Sequence, residues 1–187
     1  LGFRPMEHQR AWGSFAYKNE ADIDVPALPM DIRESESYLA NGGYRLYVPG
    51  KSLERLEIQA GYAKIDHVMD HADKPHRGMM EAAAVTEAES AAVSLASDWR
   101  TGVEGHLTLG IDFQHTRRDA LRTRFMKITA MTAEDPIWPD ARQNTVGLFG
   151  EYHTPMTENW SLRAGVRADR VSSDIGEADS RISPAMG

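Results

Sequence analysis

Leu107-Thr108-Leu109-Gly110-Ile111-Asp112-Phe113-Gln114 alternates without a break: each odd position is large and apolar, each even one polar or glycine. A period of two gives each face of a β-strand one chemistry, a pattern no helix produces. Trp160-Ser161-Leu162-Arg163-Ala164-Gly165-Val166-Arg167-Ala168-Asp169 repeats it with the even positions apolar. Arg163, Arg167 and Asp169 then share a face with Gly165, opposite Trp160, Leu162 and Val166.

Outward from these two runs the alternation recurs in weaker form. Leu56, Ile58, Ala60 and Tyr62 alternate with Glu57, Gln59 and Gly61. Tyr38, Ala40, Gly42, Tyr44, Leu46 and Val48 make another apolar face, as do Ala91, Val93, Leu95 and Trp99. Val146, Leu148 and Tyr152 point away from Thr145, Glu151 and His153. About seven strands are predicted, at 8–19, 36–48, 53–66, 85–99, 105–118, 142–154 and 158–172.

The connections alternate in length. Short turns fall at Pro49–Ser52, Arg100–Glu104 and Pro155–Glu158, and long connections at 20–35, 67–84 and 119–141. Short turns on one rim and long loops on the other are the sidedness of an outer-membrane barrel; a soluble sandwich has no such asymmetry. Most predicted strands also exceed the usual globular length of about 5–6 residues and reach the roughly 9–11 needed to cross a bilayer at a tilt. The expected fold is therefore all-β: an antiparallel up-and-down transmembrane β-barrel, of which about seven strands form an incomplete portion. An open sheet edge is not stable in lipid, so further strands are expected to complete the barrel. Both chain ends read as cut.

Composition permits this reading. The chain has 187 residues, of which 41% are hydrophobic, and no run approaches the roughly 20 apolar residues of a membrane helix. Barrel strands need only every second residue apolar. The net charge is −7, and the 21 basic residues form no block or face, so nucleic acid is not an expected partner. The chain contains no cysteine, which removes disulfides and thiolate metal sites. No GxSxG, HExxH, P-loop or GxGxxG pattern occurs, and an enzyme is not expected.

Several phrases resemble those of TonB-dependent outer-membrane receptors. Asp24-Val25-Pro26-Ala27-Leu28-Pro29-Met30-Asp31, followed by Arg33-Glu34, resembles a "PALPMD" loop of one subset, and Asp66-His67-Val68-Met69-Asp70 its "DHxMD" strand end. Ile137-Trp138-Pro139-Asp140-Ala141 and Val146-Gly147-Leu148-Phe149-Gly150-Glu151-Tyr152 resemble its loop and "GxFGEY" strand. Trp160–Arg170 is similar to a "W.L.aGlRyDr" strand of the whole superfamily, and Ile182-Ser183-Pro184 to an "SP" entry to the next strand. The likeness runs from about residue 24 onward, and the nearest subgroup is the TonB-dependent copper receptors. It implies a 22-stranded barrel, a plug domain absent from this sequence, coupling to the TonB complex through that plug, and a metal or metal chelate as cargo. Outer-membrane lipid and lipopolysaccharide would surround it. Siderophore-bound iron is the alternative cargo, and a soluble all-β ligand-binding module the alternative class.

His67 and Met69 lie two apart, so on a strand both side chains take one face. Imidazole suits copper and thioether selects Cu(I). In the copper receptors an HxM pair on the barrel meets ligands from the plug, and His67-Val68-Met69 matches that pattern. Subordinate metal candidates are His71, His76, Met79 and Met80, in or beside the same long connection. Met126 and Met131 read as adaptable contacts or as apolar loop anchors. Arg117, Arg118, Arg122 and Arg124 read as solvated charge or as partners for lipopolysaccharide phosphates.

Overall fold

The computed structural model describes residues 2–74, 78–102 and 104–177 in full and the backbone of 181–184. A single antiparallel sheet contains β1 (Gly2–Phe3), β2 (Gln9–Ile23), β3 (Asp31–Tyr47), β4 (Leu53–Asp70), β5 (Met80–Thr101), β6 (Gly105–Met126), β7 (Met131–Thr157) and β8 (Trp160–Asp174) in sequence order. The seven long strands are the seven predicted, and every neighbour pair is antiparallel. A ninth strand, β9 (Arg181–Pro184), pairs with Met131–Glu134 of β7. It runs on along the β7 edge that β8 occupies lower down, so Ile182-Ser183-Pro184 prolongs the ascending edge.

Strand lengths correct the sequence reading. The connections expected at 20–35, 67–84 and 119–141 shrink to 24–30, 71–79 and 127–130, because the hairpins continue well past the predicted ends. β6 and β7 reach 22 and 27 residues. In the outer part of the hairpins, cross-strand ion pairs appear on both faces: Lys64–Glu87 at 2.9 Å on the face of the apolar stripe and Arg122–Asp135 at 2.8 Å on the other. The hydrogen-bond ladder persists while the alternation ends, because both faces there meet water. At the opposite rim the turns are tight, and Gly50 (φ 73°) and Gly102 (φ 64°) supply the left-handed backbone that two of them require. Pro136 and Pro139 cannot donate to a ladder, and the β6–β7 register shifts beside them, between Arg118 and Leu121.

The register aligns the chemistry of the two faces across the sheet. Tyr44, Ile58, Leu95, Ile111, Leu148 and Ala168 stand in one row over six strands. One residue along, Gly43, Gln59, Ser94, Asp112, Gly147 and Asp169 form the matching row of the other face. Leu107, Leu109, Ile111, Phe113, Leu162 and Val166 share the first face; Thr108, Asp112, Arg163, Arg167 and Asp169 share the second.

The apolar face is the bare one. Ile58, Leu95, Ile111 and Leu148 are 46, 47, 43 and 57% exposed, and the buried hydrophobic residues among those described are four alanines. The polar face is instead knitted together. Glu57, only 6% exposed, accepts from Arg45 at 2.6 and 2.9 Å. Arg55 pairs with Asp98, which also accepts from the Thr108 hydroxyl at 2.8 Å, and Arg167 bridges Asp112 at 2.8 and 2.9 Å. A soluble sheet hides its apolar face and wets its polar one; this sheet does the reverse, as a barrel wall in lipid must.

Aromatic rings bound the apolar band. Trp99 and Leu107 pair at its turn side, with Tyr152 beyond them. At its loop side Tyr17 stacks on Tyr38 at 5.0 Å, and Tyr62 stands opposite Ala40. Just beyond, on the same face, come Glu36, Lys64, Asp66, Glu87 and Glu89, and the Tyr17 and Tyr62 hydroxyls donate to Glu36 (3.1 Å) and Glu89 (3.3 Å). From Trp99 to Ala91 the band takes about nine residues of β5, the length a tilted membrane strand needs.

Ile111→Arg should therefore lower barrel stability in lipid vesicles by about 2–4 kcal/mol, the cost of a guanidinium near the bilayer midplane. Ser94→Arg, on the polar face opposite Asp112, should change it far less. Urea titration of the vesicle-folded barrel measures both.

Candidate metal site and loop clasp

Within the long β4, the odd positions from Glu57 to Met69 share the polar face, so His67 and Met69 follow Gln59, Gly61, Ala63 and Ile65 on the side that a closed barrel turns to its lumen. Both are half-buried, and both lie in strand, where a loop was expected from residue 67 onward. Across the ladder, Ser35 and Thr86 flank His67, and Ile32 and Ala84 flank Met69. An imidazole and a thioether are thus presented side by side on one face. Two donors are an incomplete coordination shell, and among the described residues no three His, Asp or Glu side chains converge as a metal site.

The subordinate candidates separate. His71 is buried, with its ring turned into the hairpin: Nε2 donates to the Met80 carbonyl at 2.7 Å and Nδ1 accepts from the Ala82 amide at 2.8 Å. Both nitrogens are used by backbone, so His71 staples β4 to the start of β5. Met79 and Met80 are 67 and 39% exposed at the outer tip. His76 lies outside the described residues.

The arginine cluster divides between the faces. Arg118, Arg122 and Arg124 are on the lumen side and Arg117 on the outer one. Each has a partner: Arg117 with Asp140 (2.5 Å), Arg122 and Arg124 with Asp135 (2.8 and 2.5 Å), and Arg118 over the Trp138 ring. The sheet's own carboxylates meet much of this charge, and it forms no single outward phosphate patch.

A feature that sequence reasoning missed lies beside His67 and Met69. Arg33 on β3 donates through Nε to both Asp70 oxygens at 2.8 Å and through Nη2 to Asp73 at 2.6 Å. Lys74 reaches back to Asp31 (2.5 Å), Asp24 (2.9 Å) and the Val25 carbonyl (3.0 Å). Asp31 also accepts from the Val25 amide at 2.9 Å and is 6% exposed. Two loops are thus clasped by charge across the top of β3 and β4. The Lys74 ammonium, and secondarily the Val25 amide, hold the Asp31 carboxyl below the usual range; Asp31 first and then Asp24 push Lys74 up. The only sequence signal was the spacing of opposite charges over 22–33 and 70–74, which alone cannot specify pairing.

A wall of long antiparallel strands with its apolar face bare defines a membrane β-barrel. Residues 10–187 match the family "TonB dependent receptor-like, beta-barrel", and the chain belongs to that family. Among solved structures it is similar to the copper transporter OprC, with a TM-score of 0.77 at 20% identity over 97% of this chain and 32% of that one. The chain therefore spans about a third of the length of that structure. No curated protein matches it.

Asp31→Asn should open the clasp, raising hydrogen exchange and protease cutting at 24–30 while leaving the turn at 48–52 unchanged. Because the folded-state pKa of Asp31 is lowered, its contribution is complete at neutral pH and is lost as pH falls through the folded value, below the ordinary carboxylate value of about 3.9. Exchange at 24–30 should therefore rise on strong acidification in the native protein and much less in the variant.

Proposed function

We propose that this chain is a segment of the barrel wall of an outer-membrane TonB-dependent transporter whose cargo is copper. The edge strands pair with further strands of the same barrel, because backbone groups left open in lipid cost several kcal/mol each. A plug domain fills the lumen and couples the receptor to the TonB complex. The outer face meets membrane lipid between the aromatic girdles and lipopolysaccharide above them.

The observation that carries the cargo assignment is the placing of His67 and Met69 side by side on the lumen-side face, at the outer end of β4. Borderline nitrogen and soft sulfur together favour copper over the oxygen-loving iron of siderophores. The likeness of the fold to a copper transporter supports the same reading. Copper arriving from the outer side is held by these two donors and by ligands on the plug, and plug movement then breaks that shell. An imidazole coordinates only when neutral, so acid must weaken the site.

Full-length receptor carrying His67→Ala with Met69→Ala should lose more than about tenfold in copper affinity, since even outer-shell changes commonly cost that much. Copper uptake by cells should fall with it, and loading of the native receptor should decline as the medium is acidified. Unchanged loading and uptake would turn the assignment to a siderophore, leaving His67 and Met69 as an ordinary strand end.

A further inference from the structure

Beyond Met69, the lumen-side face of the outermost hairpins carries a second set of soft donors. In register, Met80 of β5 stands opposite Met126 of β6, and Met126 opposite Met131 of β7. Three methionines thus form one row across three strands. The β5–β6 register runs without a shift from Met80 to Thr101, so Met80 and Met126 take the same face as Ser94 and Asp112. Directly opposed residues place their Cβ atoms about 4.5–5.5 Å apart, a spacing that lets flexible thioethers meet on one ion.

The row is held by its neighbours. His71 accepts the Ala82 amide and donates to the Met80 carbonyl, which fixes the start of β5. The Lys127 amide donates to the Met79 carbonyl at 3.0 Å, closing the ladder one step above. Below it come Ala82, Arg124 and Ala133, then Ala84, Arg122 and Asp135. Met80 is 39% exposed, and Met126 and Met131 are half-buried. Met69 pairs with Ala84, four residues along β5 from Met80, or about 13 Å at the usual strand rise.

We propose that Met80, Met126 and Met131 form a thioether site for a soft monovalent metal ion, Cu(I) or its analogue Ag(I), at the outer mouth of the barrel. Three uncharged sulfur donors discriminate by softness, excluding the harder Zn(II), Mg(II) and Ca(II). The site captures the ion one step before His67 and Met69; in that ordering it rests on the copper reading, while the binding itself stands apart from it. Thioethers carry no proton in this pH range, so unlike His67 the row keeps its metal in mild acid.

The test is Ag(I) titration of purified full-length receptor. The native receptor should bind one more equivalent than the variant Met80→Leu, Met126→Leu, Met131→Leu, and that equivalent should survive both mild acid and His67→Ala with Met69→Ala. Leucine keeps the bulk and apolar character that a packing role needs and removes only sulfur. Identical stoichiometry and affinity in the leucine variant would overturn the proposal and make these methionines apolar anchors. A second measurement uses native protein alone: Ag(I) should protect Met80, Met126 and Met131 from peroxide oxidation, read by mass spectrometry, but not the exposed Met6 and Met156. Equal oxidation of all five with and without Ag(I) would likewise refute it. If Ag(I) protection holds while the His67 and Met69 variant leaves copper uptake unchanged, the cargo reading fails and the thioether site stands.

Discussion

A backbone in lipid has no water to turn to, so each amide and carbonyl must find its partner within the protein. That constraint shapes this chain more than any side-chain contact. It calls for long, continuous ladders, and β4 through β7 supply ladders of 18 to 27 residues, closed at one rim by tight turns. Within such ladders side chains can only alternate, so the chemistry of each face is decided by sequence parity and register together. A one-residue slip between β5 and β6 would carry Asp112 and Arg118 to the lipid side and Ile111 to the other. The apolar row from Tyr44 to Ala168 and its polar counterpart are the visible outcome of avoiding that slip.

Ion pairs on the polar face reinforce the register. Arg45–Glu57, Arg55–Asp98 and Arg167–Asp112 link neighbouring or next-neighbouring strands. The most open of these, Arg167–Asp112, is individually worth little. Their value here is in selecting one alignment, since a slipped ladder would strand these charges against lipid. The same alternation, extended beyond the membrane, turns His67, Met69, Met80 and Met126 toward the lumen side. The candidate site is thus inherited from the wall: parity aims the ligands, and the hairpin length sets how far out they stand.

Alternation in Leu107–Gln114 and Trp160–Asp169 made the membrane part of the fold legible, because lipid on one side and a polar lumen on the other force a two-residue period. Residues 119–141 lacked that contrast. Both faces there are wet, β6 and β7 pair through Arg122–Asp135 and Arg124–Asp135, and Pro136 and Pro139 resemble loop residues although they sit in a bulged strand. That His67 and Met69 share one face was legible from their spacing. The backbone role of His71 was not, since nothing in a histidine's neighbours reveals which carbonyl its ring will meet. Nor was the alignment of Met80 with Met126 and Met131, which exists only once the register is known.

The wall turns its apolar face to lipid and its polar face to the lumen. These 187 residues contain no cysteine, so single cysteines can be placed at successive positions from Leu109 to Gln114 in vesicle-embedded receptor from which any cysteine elsewhere has been replaced. Spin labels attached there report collisions with lipid-soluble oxygen and with a water-soluble nickel chelate. Oxygen collisions should peak at positions 109, 111 and 113, and chelate collisions at 110, 112 and 114. Chelate access peaking at the odd positions, or no two-residue period at all, would contradict that orientation.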